Sequence, residues 1–261
     1  MMDKNKHTYS PNRQVAPPYS PVQPFTVIAP EKLQYDNGLK VFIFDGGEQD
    51  LVRIEWVFEN LYDKTTDDAI IHSCLAPMLL EGTSQLSNAE IVDQVDFHGA
   101  YLVPEFNSDY CSLTLFSLNK HLPRLLPLVR SLFSEASFPE KEWQTYLRNR
   151  QQRLEISLRK NDVLARREFN RRIFGANRYG KVTEPADLNH LSRELPLALY
   201  QEQMQPSNCQ VFIAGKVPDA TRKQIAQLFV AEWPDKKQEK EKFAPTFANV
   251  QGETIVQNIP D

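Results

Sequence analysis

His72 lies on an apolar stretch of this 261-residue chain that is predicted to be helical at 66–80, and an imidazole can bind a metal ion or pack as a polar side chain. A catalytic zinc ion needs three protein ligands and one open position for water. One helical turn after His72 stands Ala76, and no acid or second histidine follows at the third or fourth position. We therefore expect His72 to be a polar or half-buried histidine, with a zinc ligand as the alternative.

Other signatures of chemistry are missing from the sequence. It contains no glycine-rich phosphate loop, no G-x-S-x-G elbow and no CxxC or Cys/His cluster. The cysteines lie far apart in apolar runs, which predicts buried thiols rather than a disulfide framework; they are Cys74, Cys111 and Cys209. The net charge of -4 argues against nucleic acid and anionic membranes as partners, since both favour a basic face.

Composition divides the chain into three parts. Residues 1–30 form a polar, Pro-rich arm, 31–234 one α+β domain, and 235–261 a charged linker with the start of a possible second module. The arm lacks the apolar core of a signal peptide, and no run reaches transmembrane length, so we expect a cytoplasmic protein. A processed periplasmic chain that had lost its leader would have the same sequence.

The elements expected in the domain mix strands and helices. A strand, an Asn37-Gly38 turn and a second strand are predicted at 32–44, because Asn-Gly supplies the positive φ of a tight hairpin. Further strands are predicted at 51–58, 100–106, 109–118 and 209–215, and helices at 87–97, 122–133, 139–174 and 218–233. No regular βαβ alternation appears, so the class is α+β.

A basic stripe is predicted on the long charged helix, formed by Arg166, Arg167, Arg171 and Arg172. Glu155 and Glu168 lie nearby in sequence. We expect a solvated helix face here rather than an anion site.

Several short motifs occur in an order that is specific as a set. They are Asn37-Gly38-Leu39-Lys40-Val41, Met78-Leu79-Leu80-Glu81-Gly82-Thr83, the helix and break at 90–99, Phe138-Pro139-Glu140, Asn177-Arg178-Tyr179-Gly180 and Pro206-Ser207-Asn208. Together they cover 32–234 and resemble the insulinase/pitrilysin family of inverted-motif zinc peptidases, including its processing-peptidase and respiratory-complex core-protein branches. The resemblance implies the N-terminal half-module of a two-half clam-shell, with an antiparallel or mixed sheet flanked by helices.

The zinc motif of the resembled family is degenerate in this chain. The His-x-x-Glu-His pattern maps onto 73–77, so that Ser73 and Pro77 replace the two histidines and Ala76 replaces the general base. The third ligand, a glutamate, maps onto Arg153, with Gln152 before it.

None of these replacements suits a metal ion. Ala and Pro side chains have no donor atoms, and a neutral Ser hydroxyl is a poor zinc ligand. Arg153 places a positive charge at the third position, and Glu155, the alternative ligand, lies on a different face of the helix. Pro77 removes a helical N–H and is expected to kink its helix. We expect no cofactor, although active family members bind zinc.

The substrate-facing strand of the family maps onto Val103 and Pro104. Such an edge pairs with the peptide backbone, and Pro104 cannot donate a ladder hydrogen bond. This is a third loss relative to active family members.

The function expected from the resemblance is that of a non-catalytic peptidase-like protein. It would be the inactive subunit or half of a zinc peptidase complex, forming a dimer with itself or with an active homologous subunit, with peptides as possible ligands and neither nucleic acid nor membrane as partner. One alternative is a structural or assembly subunit without a peptidase partner. The other is an active zinc metallopeptidase with non-standard ligands.

Overall fold

A six-stranded mixed sheet forms the framework of the domain. The computed structural model describes residues 14, 16, 19, 21–23, 26–27, 29–61, 68–175, 177–189 and 191–235. The strands are β1 (Glu31–Gln34), β2 (Lys40–Asp45), β3 (Leu51–Glu59), β4 (Tyr101–Phe106), β5 (Tyr110–Leu118) and β6 (Cys209–Gly215). Their order is β1-β2-β6-β3-β5-β4, and the β2–β6 pair is parallel while the others are antiparallel.

Seven α-helices accompany the sheet within the described ranges. They are α1 (Asp68–Met78), α2 (Asn88–Phe97), α3 (Leu122–Glu135), α4 (Glu140–Ser157), α5 (Asn161–Phe174), α6 (Glu194–Gln203) and α7 (Asp219–Ala226), and a π-helical turn, Gln227–Ala231, follows α7. The predicted α+β class, with a mixed sheet flanked by helices, is confirmed. No helix in these ranges is long and apolar enough to cross a bilayer.

One face of the sheet carries the core. Side chains alternate between the two faces of a strand, and on β3 the buried set is Val52, Ile54, Trp56 and Phe58. Trp56 contacts Phe133 of α3 and Phe229 of the π-helical turn, with ring centroids 5.8 and 5.2 Å apart. Buried side chains of α1, α2, α3 and α7 belong to the same cluster. On β3 the residues in between, at 53, 55 and 57, are exposed or half-buried.

Two local predictions are confirmed. Gly38 has a φ of 86° in the β1–β2 turn, as the Asn-Gly pair requires. Ser87 caps α2 in a capping box: its backbone N–H donates to the Glu90 carboxylate at 2.8 Å, and its hydroxyl accepts from the Glu90 amide.

Other predictions are changed by the structure or lie outside it. The helix predicted at 139–174, with or without a bend, is two helices: α4 ends at Ser157, and Lys160 is extended, with φ -101° and ψ 124°. The helix predicted from residue 66 is described only from Asp68. Most of the predicted arm at 1–30, and all of the predicted linker after Asp235, lie outside the described residues.

Candidate functional site

A small pocket lies where α1 and α4 meet, at positions that the resemblance assigns to zinc. Its volume is about 240 Å³, and its lining residues are Pro77, Glu81, Glu142, Thr145, Tyr146, Asn149 and Arg153. The structure therefore brings the assigned positions Pro77 and Arg153 to one pocket. Gln152, which precedes Arg153, is exposed and does not line it.

The donor atoms at the assigned positions do not fit a zinc ion. The Ser73 hydroxyl donates to the carbonyl of Ile70 at 2.6 Å, and the Ala76 side chain is fully buried and apolar. Pro77 brings no lone pair, and Arg153 brings a cation whose Nε donates to the Asn149 carbonyl at 3.2 Å. Within the described part of the chain, no three His, Cys, Asp or Glu side chains are grouped so as to hold a metal.

Pro77 changes the hydrogen bonding of α1. The carbonyl of Ser73 would accept from the amide of residue 77 in a regular helix, but proline has no N–H. The hydroxyl of Tyr146, on α4, donates to this carbonyl at 3.3 Å. A side chain of α4 thus satisfies a backbone group that the sequence of α1 leaves open.

Arg150 completes the contact between the two helices. Its Nη1 donates to the Tyr146 hydroxyl at 3.0 Å and to Cys74 Sγ at 3.2 Å. Burial raises the pKa of the Cys74 thiol and also that of the Tyr146 hydroxyl. Both groups are therefore neutral at pH 7, and the guanidinium is the single charge of this three-residue network, which we call the α1–α4 clamp.

Two carboxylates stand in the same pocket. Burial raises the pKa of Glu81, and repulsion from Glu142 raises it further. With Arg153 in the lining, the pocket holds both signs of charge and no imidazole. Its lining has no histidine, so the nitrogen ligands of a zinc peptidase site are not among these residues.

His72 does not line the pocket. It is fully buried, and its Nε2 donates to the carbonyl of Leu61 at 2.8 Å, since a carbonyl only accepts. Burial lowers its pKa to about 4, although the bonds to Leu61 and to the side chain of Gln203 act in the opposite direction. The imidazole is neutral at pH 7 and joins α1 to the end of β3.

This histidine belongs to a buried polar network that fixes the end of β3. The Gln203 amide donates to Asn60 Oδ1 at 3.0 Å, and Asn60 donates to the carbonyl of Asn107 at 2.8 Å. Glu155, the other alternative ligand, is exposed and accepts from Gln151 at 3.3 Å. The structure does not bring His72 and Glu155 together at the pocket.

The positions assigned to the substrate strand lie on β4, at one end of the sheet order. Val103 is 37% exposed and pairs with Thr114, and Pro104 pairs with Leu113. Within the described residues, β4 has β5 as its partner on one side. The edge is available to an added strand, but Pro104 gives it one donor fewer.

Each arginine of the predicted basic stripe contacts an acid. Arg166 pairs with Asp162 at 3.3 Å and Arg167 with Glu184 at 2.8 Å, and Arg171 and Arg172 both bind Glu168. Asp162 and Glu168 belong to α5 itself, whereas Glu184 lies outside the helix and its partner Arg167 has an 18% exposed side chain.

The clamp could not be predicted from the sequence. Tyr146 and Arg150 are separated by one helical turn on α4, which puts them on one face, but their partners are 73 and 76 residues away in the chain. The one local indication was Pro77: because proline has no N–H, the carbonyl four residues earlier, that of Ser73, must find another donor.

Comparison with known proteins finds similarity at the level of fold. No family model and no curated protein matches the sequence. A peptidase M16 inactive domain from Pseudomonas fluorescens has a TM-score of 0.73 at 16% identity, covering 83% of this chain and 54% of that one. A protease from Helicobacter pylori has a TM-score of 0.75 at 13% identity, covering 85% and 54%.

A conserved protein from Enterococcus faecalis V583 gives similar values, with a TM-score of 0.70, 15% identity and coverage of 83% and 54%. The chain thus spans about half the length of these solved structures. At such identities the similarity concerns the fold alone. The domain has a peptidase M16-like α+β fold.

Proposed function

We propose that this chain is a zinc-peptidase-like half-module that does not hydrolyse peptides by itself and works by pairing with an active homologous subunit. The observation that carries the proposal is the α1–α4 clamp. Tyr146, Arg150 and Cys74 make polar contacts between the two helices on which the resemblance expects the zinc ligands. A site that has lost its ligands and gained another contact between the same helices is specialised away from metal chemistry.

The composition of the pocket supports the same conclusion. A general base must lie within hydrogen-bond reach of an attacking water, and a zinc ion would polarise that water. Ala76 stands at the base position, and the charge of Arg153 opposes a cation at the third-ligand position. Reactivation therefore needs several simultaneous substitutions rather than one.

Pairing is supported by the exposed edge of the sheet. A half-module of the clam-shell that the resemblance implies needs a second half to enclose a chamber. Tyr101 and Val103 are 70% and 37% exposed on β4, which lies at one end of the sheet order. A peptide held in the assembly would add to this edge by backbone hydrogen bonds.

The test measures metal and activity in the same preparation. The purified chain is dialysed against zinc buffer, its zinc content is determined, and peptide hydrolysis is assayed alone and after mixing with a homologous chain that has an intact His-x-x-Glu-His motif. We expect near-zero zinc, no hydrolysis by the chain alone, and higher activity of the partner when the two are mixed.

Each other outcome points to a different function. About one tightly held zinc per chain with chelator-sensitive hydrolysis contradicts the proposal and favours an enzyme with non-standard ligands. Stable association with the homologue but no change in its activity or peptide affinity contradicts the peptide-handling role and favours a purely structural subunit.

A further inference from the structure

Two histidines lie against each other outside the candidate site. His98 is the residue at which α2 ends, and His121 lies directly before α3. Their ring centroids are 4.7 Å apart, and the ring planes are inclined to each other by 36°. Both residues are half-buried, and a fully buried residue follows closely in each case, Ala100 after His98 and Leu122 after His121. The packing of α2 and α3 therefore holds the two imidazoles together.

Neither imidazole is used by the helix end at which it lies. The end of α2 is closed by the backbone N–H of His98, which donates to the carbonyl of Val95 at 3.2 Å. The start of α3 receives no hydrogen bond from the side chain of His121. Within the described ranges, no hydrogen bond or ion pair engages the nitrogens of either ring. These nitrogens are available to a partner from solution.

The separation of the rings fits a shared metal ion. An imidazole nitrogen binds Zn²⁺ at about 2.1 Å and lies about 1.1 Å from its ring centre, so a bound ion is about 3.2 Å from each centre. Two centres at that distance are about 4.5 Å apart when the ion joins them at a right angle, and about 5.2 Å apart at the tetrahedral angle. The observed 4.7 Å lies between these values.

The nitrogens can turn toward a common point without displacement of the rings. The Cβ–Cγ bond of a histidine points at the centre of its ring, and the torsion about this bond has a broad range of allowed values. Rotation about it moves the nitrogens and leaves the ring centre in place. The 4.7 Å separation is therefore kept when both rings turn to face one ion.

The charge around the pair is mixed. Desolvation lowers the pKa of His121, and Lys120 and His98 lower it further, which favours the neutral imidazole that a metal requires. Lys120 and the positive end of α3 oppose a cation, whereas the negative end of α2 favours one. The affinity must come mainly from the two nitrogen–metal bonds, so we expect weaker binding than at a four-ligand structural zinc site.

We propose that His98 and His121 form a two-ligand site for a divalent ion of the late first-row transition metals, Ni²⁺, Cu²⁺ or Zn²⁺. Imidazole suits these ions, whereas Mg²⁺ and Ca²⁺ prefer oxygen ligands. In the ranges that the structure describes, no third His, Cys, Asp or Glu side chain forms a metal-binding group with the pair, so water fills the other positions. The site is separate from the pocket between α1 and α4, whose lining contains neither histidine.

Nickel binding by the full 261-residue chain, prepared without a polyhistidine tag, tests the assignment. Isothermal titration with Ni²⁺ should give one ion per chain, and an excess of Mg²⁺ should not compete. The dissociation constant should rise by about tenfold or more in H98N and in H121N, and H98N/H121N should lose the binding. The matched control is H7N/H190N, which removes two of the other three histidines and should keep both stoichiometry and affinity. Circular dichroism checks the folding of each variant.

A second measurement locates the ion in the wild-type chain. Cu²⁺ is paramagnetic, so small amounts of it should broaden the NMR amide signals of His98, Gly99 and His121 before those of other residues. Unchanged Ni²⁺ binding in H98N/H121N, loss of binding in H7N/H190N, no binding by the wild type, or first broadening elsewhere overturns the proposed site. Zinc that remains bound to H98N/H121N cannot be held by this pair, so the zinc test of the proposed function in that variant fails or succeeds separately.

Discussion

The hydroxyl of Tyr146 lies 3.3 Å from the carbonyl oxygen of Ser73 and supplies the donor that Pro77 removed from α1. Through this bond and those of Arg150, the domain holds α1 against α4 with neutral and cationic side chains and without metal ligands. The hydrogen bond that Pro77 prevents within α1 is replaced by a hydrogen bond between α1 and α4.

Replacing Tyr146 by phenylalanine removes this donor and leaves the Ser73 carbonyl without it in a half-buried place. We expect the Tyr146→Phe variant to lose about 1–2 kcal/mol of unfolding free energy, the range for a buried polar group that loses its partner. Urea denaturation measures the change. Tyr101→Phe is the control, because Tyr101 is 70% exposed and its substitution should change stability little.

Returning an amide to position 77 should make Tyr146 less important. In Pro77→Ala the Ser73 carbonyl regains a helical donor, so Tyr146→Phe should cost about 1 kcal/mol less in that background than in the wild type. The double-mutant cycle isolates this coupling from the effect of proline on the unfolded chain. Strictly additive effects of the two substitutions would show that the Tyr146 bond does not replace the missing amide.

His72 should make the domain sensitive to mild acid. Its pKa is lowered to about 4 by burial, so the unfolded chain takes up the proton first, near pH 6.5. The contribution of the neutral imidazole is fully present above pH 6.5 and is lost as the pH falls toward 4. Between pH 7 and pH 5 the loss should be about 2 kcal/mol.

The measurement for His72 is urea denaturation at both pH values in the wild type and in His72→Gln. The glutamine variant keeps an N–H donor for the Leu61 carbonyl but does not titrate. An equal pH dependence in both proteins would assign the acid sensitivity to other groups.

Restoring the zinc ligands should restore metal binding if the positions are correctly assigned. The variant Ser73→His, Ala76→Glu, Pro77→His and Arg153→Glu should bind about one zinc per chain and melt at a higher temperature when zinc is added. The three-substitution variant that keeps Arg153 is the control, with a positive charge at the third position and weaker binding. A folded four-substitution variant without zinc affinity would show that α1 and α4 do not present these positions to one metal.

Removing the charge of Glu142 should change the pKa of Glu81. Because repulsion from Glu142 helps to raise the pKa of Glu81, Glu142→Gln should lower that pKa toward its ordinary value, while burial keeps part of the shift. NMR titration of the Glu81 carboxyl carbon measures it. A pKa that does not move in the variant would mean that burial alone accounts for the shift.

Local features of the fold were predictable from the sequence because their partners lie close in the chain. The Ser87 capping box spans three residues, and the Asn37-Gly38 turn depends on one dipeptide. Asn37 also shows the limit of such prediction. Its side-chain amide donates to the carbonyls of Phe229 and Trp233, both at 3.0 Å, which ties the end of the domain to its first hairpin. A local sequence pattern cannot predict that Asn37 binds Phe229, which lies 192 residues away in the chain.

The sequence was sufficient to identify Ser73, Pro77 and Arg153 as poor metal ligands, because that follows from residue type whatever the packing. The contacts that these helices make instead could not be predicted. The clamp forms because the face of α4 that carries Tyr146 and Arg150 packs against α1, and tertiary packing determines which face that is. The position of the break between α4 and α5 could not be predicted, because 158–160 contain no Gly or Pro.

The position of β6 has a consequence for how the domain is made. This strand, the last of the described strands in chain order, lies between β2 and β3 and pairs with both. Until residue 215 has left the ribosome, the β1–β2 hairpin and the β3–β5–β4 unit have no strand to join them, and each exposes an unpaired edge. A chain that stops before Cys209 therefore leaves two separate pieces of sheet with unpaired edges, and the sheet is completed only after nearly the whole domain has been synthesised.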